Sequence, residues 1–529
     1  MTSAGTSSKS PSSADGGWSP FKGEGRMHRG GKATSIDNVR TIRRSIDVDA
    51  GSRRSSDIIS PGDLSAAVKN LEEGVFEMYS TSKSASRGTS PACTPTERTA
   101  ASSRANREPF KKALSEGGQG SSFSSTDTES CPSTPSTPAP ETNVFKRNLV
   151  DEVTSQIVQE VLPGSLGTWL ATLSTPLGVH KAVPEAMAVV WMVMRETMVS
   201  EGVWPPDIKE ILAVVVSENN RCPFCRNGHS MMASIAGANA ADVMQQMKQG
   251  KPENIKDPLT RKVVEWGNAV TLKGLTTSVI DREFKWTQEE RAELVGVVFF
   301  KCYMNRITSS ILGSEMLSNV LELPSRMNGA LSKLVGSVGR SVENTKMMSL
   351  IGKALRPVAK GTVGKRVKTP GASLELLDTG LASDVSRMKW TAANPSISEA
   401  VARFSYTMSE LGAEVLEERV IDFLCKHACN PVNQLHAYRA KMRNNEYGCM
   451  WLDGAVYQAG FDAKSIDGAM CRLLLRVIWA PWTVHEWMQA GVAGLPNFDA
   501  KVDSPERLRV LKAIMWASSL AAAAKCMNL

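Results

Sequence analysis

From about Asn143 onward, apolar residues recur at intervals of three and four, the spacing that places them on one face of an α-helix. Two of these apolar stripes consist of Ile208, Ile211, Leu212, Val215 and Val216 and of Leu294, Val297, Val298, Lys301 and Cys302. The apolar–polar alternation of strands is rare here, and so are Asn-Gly hairpin turns. Turn sequences such as Trp204-Pro205-Pro206 separate the stripes. We therefore predict an all-α fold for this part of the chain.

The first 142 residues have a different composition, and we expect them to form a disordered regulatory region. Residues 1–140 contain 42 Ser or Thr but only 16 Leu, Ile, Val or Phe. Such a segment buries too little apolar surface to offset the entropy lost on ordering. A short helix is expected near residues 61–79. Kinase sites are predicted at Ser45, Ser55, Ser90, Thr94, Thr134 and Thr137. Any Ser-rich tail also produces such matches by chance, which is the alternative.

A strongly basic segment separates two apolar regions. Between Arg326 and Lys368 there are ten Lys or Arg and one acidic residue, so the net charge of +9 exceeds the +8 of the whole chain. Its apolar residues have helical spacing, which is typical of a linker packed on its neighbours or of a helix that contacts an anionic membrane or RNA. We interpret residues 326–372 as a linker, with peripheral membrane contact through residues 326–368 as the alternative.

No segment favours a membrane-spanning or secreted protein. The longest uncharged apolar run, Ala186–Met194, has nine residues, whereas a membrane-spanning helix needs about 20. No apolar stretch follows Met1, so a secretory signal is not predicted. The ten cysteines are irregularly spaced, which favours redox or metal chemistry over a disulfide scaffold. We expect a cytoplasmic protein.

Four residues in one short stretch have the types and spacing of a redox site: Glu210, Cys222, Cys225 and His229. The helix that carries Glu210 is expected to end at Asn219-Asn220, and a second helix to begin at Cys222. The two cysteines and His229 then project from one helical face. The N–H groups of a first helical turn stabilise a thiolate, and a histidine one turn along can transfer a proton. Two thiols that close into a disulfide beside such groups are suited to reducing an O–O or S–S bond.

Two other interpretations of the cysteine pair explain fewer features. A Cys-x-x-Cys with a nearby histidine is also half of a zinc site, but a structural zinc site needs four ligands and the chain has no second Cys-x-x-Cys. Two core cysteines placed by coincidence are the other alternative, although the polar context from Asn220 to Cys225 is unusual for a core. We therefore predict no metal at this site and no bound cofactor.

These residues resemble the alkylhydroperoxidase D-like, or carboxymuconolactone decarboxylase, family. Its peroxidase branch has a Glu, eleven intervening residues, Cys-x-x-Cys, three residues and a His. That spacing is matched by Glu210, Cys222, Cys225 and His229. A later stretch, from Trp286 to Arg306, is similar to the family's later helix with its Asn-Arg pair. The resemblance covers roughly residues 183–317, about a quarter of the chain.

The resemblance implies an all-α domain in which Cys225 attacks a hydroperoxide and Cys222 resolves the product to a disulfide. Glu210 and His229 would relay protons. An external dithiol protein would reduce the disulfide, and the protein would be a homo-oligomer. Phe224 departs from the pattern of some peroxidase members, which carry a histidine at this position. Decarboxylase members lack the cysteine pair, so lactone decarboxylation is the less favoured branch.

A shift of 207 residues indicates a second, degenerate copy of the motif, in which Val432 replaces the attacking thiol. The counterparts of Glu210, Cys222 and His229 are then Glu417, Cys429 and His436. We predict two tandem helical repeats, a catalytic domain at residues 143–325 and a catalytically silent repeat at residues 373–529. Because Cys and His are frequent in this region, coincidence is the alternative.

Other candidate residues carry weaker signals. Cys526 is four residues from the end of the printed sequence, like a prenylation box, but its context matches poorly. His180 and His485 have apolar or aromatic neighbours in sequence and are expected in the core or at an interface. Cys302, on an apolar helical face, is expected to be a small buried residue.

Three functions are consistent with these observations. The leading hypothesis is a thiol-dependent peroxidase that reduces hydroperoxides. The second is a stress-signalling or scaffold protein similar to the sestrins, in which the same fold binds partners with little catalysis. The third is a thiol–disulfide oxidoreductase that acts on proteins.

Overall fold

The structure, a computed structural model, describes residues 141–161, 176–273, 277–312, 345–362, 368–377, 382–428, 450–462, 464–485, 488–489, 492, 504–527 and 529. Every regular element within these residues is a helix, which confirms the all-α prediction. The six predicted kinase sites, the helix near residues 61–79, and Cys429, Val432 and His436 of the second copy lie outside the described residues.

The α-helices of the described residues are numbered in chain order. Those before the basic segment are α1 (Glu141–Glu160), α2 (Pro184–Met194), α3 (Pro206–Asn219), α4 (Pro223–Ala236), α5 (Ala240–Lys248), α6 (Pro258–Asn268), α7 (Thr277–Phe284) and α8 (Gln288–Ile307). The remainder are α9 (Thr345–Thr362), α10 (Pro395–Val415), α11 (Glu418–Ala428), α12 (Met450–Gln458), α13 (Ile466–Trp479) and α14 (Pro505–Cys526). Helices α2, α6 and α8 continue into π-helical turns at Arg195–Val199, Ala269–Lys273 and Thr308–Leu312.

Side-chain capping explains where several of these helices begin. At the start of α8, the Glu290 N–H donates to Thr287 Oγ1 at 3.1 Å, and the Thr287 N–H donates to Glu290 Oε2 at 2.8 Å. This reciprocal pair is a capping box, which satisfies two N–H groups that the helix itself leaves unpaired. Asp257 caps α6 by accepting from the Thr260 N–H at 2.7 Å. The predicted turn Trp204-Pro205-Pro206 also precedes a helix, because α3 begins at Pro206.

Helix α2 lies at the centre of the apolar core. Its residues from Ala186 to Val193 are at most 1% exposed, and a helix that is apolar on all sides is typical of the interior of a large domain. Within the described residues, no helix combines the length and apolarity needed to span a bilayer. One continuous core contains side chains from the part of the chain before the basic segment and from the part after it, which we call the second half. In this core, α2 packs against α10 and α8 packs against α14.

A buried ion pair in the π-helical turn after α2 binds the chain at the start of the second half. Arg195 donates to Glu196 Oε1 at 2.8 Å and to Glu160 Oε2 at 2.7 Å. Glu196 also accepts from the Gly371 N–H at 2.8 Å and from Ser373 Oγ at 2.7 Å. Because buried charges lose their hydration, they need such partners to be tolerated in the core. The chain is thereby held on α2 before it enters the second half.

The basic segment contributes helix α9, which packs along α4. Ser349 Oγ on α9 and Ser234 Oγ on α4 are 2.6 Å apart, and Gly352 lies against the main chain of α4. Lys346 and Lys353 are exposed. The described part of the basic segment is therefore a packed helix. Both interpretations of the segment, a linker and a peripheral membrane contact, stay predictions.

Gly352→Val is expected to destabilise the protein by about 1–3 kcal/mol. A Cβ at Gly352 would overlap the carbonyl oxygen of Met231 and push α9 away from α4. Urea unfolding followed by tryptophan fluorescence measures the change. The matched control is Gly454→Val, because a Cβ at this helical glycine meets no atom within 4 Å, and we expect a change below about 1 kcal/mol. Equal unfolding midpoints for the two variants would contradict the tight packing of α9 on α4.

Candidate active site

The two cysteines lie at the turn from α3 into α4. Arg221 has a φ of 56°, a left-handed conformation that few non-glycine residues adopt, at the point where the chain turns back so that α4 packs on α3. Cys222 is the N-cap residue of α4, and Pro223 occupies the first turn, where a missing N–H costs nothing. The Cys225 N–H donates to Cys222 Sγ at 3.4 Å. A helix-terminal N–H is therefore paired with a thiol.

The two sulfur atoms are adjacent, and both thiols are free. Cys222 Sγ lies 2.8 Å from Cys225 Sγ, whereas a disulfide bond is about 2.05 Å long. Cys225 Sγ is also 3.3 Å from Thr308 Oγ1, in the π-helical turn that continues α8. Cys222 is 2% exposed and Cys225 is 5% exposed. The two sulfur atoms would need to move only slightly to reach the distance of a disulfide bond on oxidation, but both of them are buried.

The other two motif residues are joined by a hydrogen bond. His229 Nδ1 on α4 lies 2.6 Å from Glu210 Oε2 on α3. His229 Nε2 lies 2.5 Å from Lys301 Nζ on α8. An ammonium group only donates hydrogen bonds, so Nε2 accepts from Lys301 and the Nδ1–H donates to Glu210. His229 is therefore a neutral imidazole between a carboxylate and an ammonium group.

The charge of Lys301 acts on the histidine and on both thiols. Burial and Lys301 lower the pKa of His229, against the opposing effect of Glu210. Burial alone would raise the pKa of Cys225, but the hydrogen bond from Cys222 and the charge of Lys301 lower it to about 7. Burial raises the pKa of Cys222 well above its ordinary value, and the neighbouring Cys225 raises it further. Cys225 therefore loses its proton first, and the Cys222 thiol donates to the Cys225 sulfur.

Lys301 is a site residue that the motif does not contain. The sequence carried one signal for it, because a lysine in the apolar stripe of α8 is unusual unless it is paired. Asn305 and Thr308 follow it on the same helical face. Asn305 Oδ1 accepts from Ser217 Oγ at 3.2 Å, and Asn305 Nδ2 is buried with no partner among the described residues. This polar face of α8 completes the site beside α3 and α4.

The second half of the chain contacts the rim of the site. The Arg221 guanidinium carbon lies 4.8 Å from the centre of the Trp482 ring, a distance typical of a cation–π contact. Gln489 Nε2 donates to the Ser310 carbonyl oxygen at 2.6 Å, in the same π-helical turn as Thr308. The second half therefore contacts the residue that precedes the cysteine pair and the π-helical turn that contains Thr308.

The predicted second copy is only partly described. Glu417 is exposed between α10 and α11, whereas its proposed counterpart Glu210 lies inside α3. Because Cys429 and His436 lie outside the described residues, no contact between them and Glu417 can be stated. The tandem repeat and its loss of catalysis stay predictions.

The weaker candidate residues have different environments. His180 is fully buried, with Nε2 2.7 Å from the Tyr303 hydroxyl, so it is a core residue as predicted. Cys302 is also buried, at 1% exposure. His485 is exposed beyond the turn that follows α13, so it is not a core residue, and its position at an interface stays a prediction. Cys526 is completely buried at the end of α14, an environment that disfavours prenylation of its thiol.

Comparisons with known proteins do not identify the chain. No protein-family model matches it, and no curated protein and no solved structure matches it significantly. In the part of the chain that the structure describes, no three or more His, Cys, Asp or Glu side chains are grouped to hold a metal ion. We therefore infer the function from the geometry of the site.

Cys225 is expected to be half ionised near pH 7, because Cys222 and Lys301 lower the pKa of its thiol to about 7. The ultraviolet absorbance of thiolate, measured against pH, reports the ionisation. The difference between wild type and Cys225→Ser isolates this thiol, and Cys302→Ser is the control for loss of another buried cysteine. A midpoint near the ordinary cysteine value of about 8.5 would contradict the electrostatics of the site.

Proposed function

We propose that the protein is a thiol-dependent peroxidase that reduces hydroperoxides through a dithiol–disulfide cycle of Cys222 and Cys225. The main support is the 2.8 Å separation of the two sulfur atoms, next to the hydrogen-bonded Glu210 and His229. Their spacing in sequence resembles the peroxidase branch of the alkylhydroperoxidase D-like family. Cys225 is the attacking thiol because it loses its proton at the lower pH.

In the first step, the Cys225 thiolate attacks the terminal oxygen of a hydroperoxide, R–O–OH. An S–O bond forms as the O–O bond breaks, so that Cys225 becomes a sulfenic acid and an alkoxide departs. Glu210 and His229 form the relay that takes the proton lost by the Cys225 thiol and returns it to the alkoxide, which leaves as the alcohol.

In the second step, the Cys222 thiol attacks the sulfenic acid of Cys225. The S–S bond forms, the S–O bond breaks, and the hydroxyl leaves with the thiol proton as water. An external dithiol protein then reduces the disulfide, supplies two electrons and two protons, and becomes a disulfide itself. The cycle requires no bound cofactor.

The burial of both thiols favours a second candidate function. With exposures of only 2% and 5%, Cys222 and Cys225 are poorly accessible to a bulky substrate. In a scaffold or stress-signalling protein similar to the sestrins, the helical fold would bind partners and the cysteine pair would contribute little catalysis. A homo-oligomeric state, a cytoplasmic location and regulation by kinases are further proposals that depend on the sequence alone.

Reduced protein mixed with hydrogen peroxide, which is small enough to reach a buried sulfur, is expected to lose two thiols per chain, because one cycle converts Cys222 and Cys225 to a disulfide. Cys225→Ser is expected to lose thiols about tenfold or more slowly, since the low-pKa thiolate is the nucleophile. Thiol counting with a chromogenic disulfide reagent measures both rates. Cys302→Ser keeps the pair and is expected to match wild type. Equal rates for wild type and Cys225→Ser would rule out the peroxidase.

The alternatives predict other results in the same preparation. Negligible thiol loss in wild type, together with a partner still retained by Cys222→Ala/Cys225→Ala in a pull-down, would indicate the scaffold function. Measurable insulin reduction with little peroxide consumption would indicate a thiol–disulfide oxidoreductase. In Cys222→Ser, the peroxidase instead predicts a sulfenic acid on Cys225 that dimedone traps.

A further inference from the structure

We propose that Lys301 is a positioning residue for this reaction, whose buried ammonium is the counter-ion of the Cys225 thiolate and holds His229 as a neutral acceptor. The role assigned to Lys301 depends on the proposed peroxidase function. The alkylation experiment that tests this role uses no peroxide, so the two proposals can fail separately.

Lys301 is a buried cation without a carboxylate partner in the described residues. It is 3% exposed, and its Nζ donates to the neutral His229 at 2.5 Å. Lys209, which is buried to a similar extent, instead forms an ion pair with Glu293 Oε2 at 3.1 Å. A buried ammonium is costly unless an anion lies near it. The carboxylate of Glu210 lies beyond His229, so an additional negative charge near the ammonium would stabilise it further.

Cys225 is placed to provide that charge. His229, which accepts from Lys301 Nζ at 2.5 Å, lies one turn after Cys225 on the same face of α4, and Cys225 Sγ is 3.3 Å from Thr308 Oγ1 in the π-helical turn that continues α8. The charge of Lys301 lowers the pKa of Cys225 and opposes the rise in the pKa of Cys222. Of the two thiols, only Cys225 ends below its ordinary pKa. The thiolate and the ammonium therefore stabilise each other in the core.

The same lysine sets the protonation of His229. Because Lys301 Nζ donates to Nε2, the imidazole proton stays on Nδ1 and is shared with Glu210. Of these three groups, Lys301 is the one whose charge acts on the thiols. It therefore connects the Glu210–His229 pair to Cys225.

The test is the pH profile of alkylation of Cys225 by iodoacetamide in the full chain with Cys222→Ser. Tryptic cleavage after Arg221 and Arg226 then gives a peptide with a single cysteine, and mass spectrometry reads its alkylated fraction. Adding Lys301→Met is expected to move the profile to higher pH and to slow alkylation at pH 7 by roughly three- to tenfold, the usual effect of losing one nearby opposite charge. Lys301→Arg is expected to restore the profile, because it keeps the charge.

Lys525→Met is the matched control, because Lys525 is a partly buried lysine on α14 that donates to the Thr271 carbonyl oxygen at 3.3 Å. Its profile is expected to overlay the parent. A profile for Lys301→Met that also overlays the parent, in protein with unchanged circular dichroism, would overturn the proposal. If Lys301→Met does not fold, the alkylation profile of Lys301→Arg tests the proposal. A Lys301→Arg profile shifted to the ordinary cysteine range would overturn it. A shift in Lys301→Met without peroxide consumption by wild type would support the role of Lys301 and refute the peroxidase.

Discussion

A single buried positive charge organises the candidate site. Lys301 lies where α3, α4 and α8 meet, in an interior where charges interact strongly and unpaired charges are costly. His229 accepts a hydrogen bond from it, Glu210 holds His229 from the other side, and the Cys225 thiol loses its proton more easily because of it. Since the three helices each supply at least one of these groups, the electrostatics of the site depend on their mutual packing.

Distant parts of the chain maintain that packing. Helix α9 packs along α4 through the contact of Ser349 with Ser234, and α10 and α14 extend the same apolar core. Trp482 lies over Arg221, the residue whose left-handed backbone precedes the cysteine pair. The resemblance to a known family ends near residue 317, yet the chain beyond it is part of the same packed structure. The basic segment and the second half therefore have a structural function that does not depend on catalysis.

Burial has two opposite effects on the proposed chemistry. The low polarity around Cys225 strengthens its attraction to Lys301, which favours the thiolate that a peroxidase needs. The same burial, at 5% exposure, restricts the molecules that can reach the sulfur. A small hydroperoxide is therefore a more suitable substrate than a protein disulfide. In the proposed cycle, the adjacent Cys222 would resolve the product without exposing it, since its sulfur is already in contact with Cys225.

The sequence by itself determined the helices, the turn at Cys222 and the spacing of Glu210 and His229, because helical periodicity and capping act between residues close in the chain. It did not predict the contact of Lys301 with His229, which lies 72 positions earlier in the chain, because Lys301 appeared only as a lysine in an apolar stripe. The exposure of His485 was also not predicted. These features were decided by the tertiary structure, since packing between distant helices determines which side chains meet and which charges lose contact with solvent.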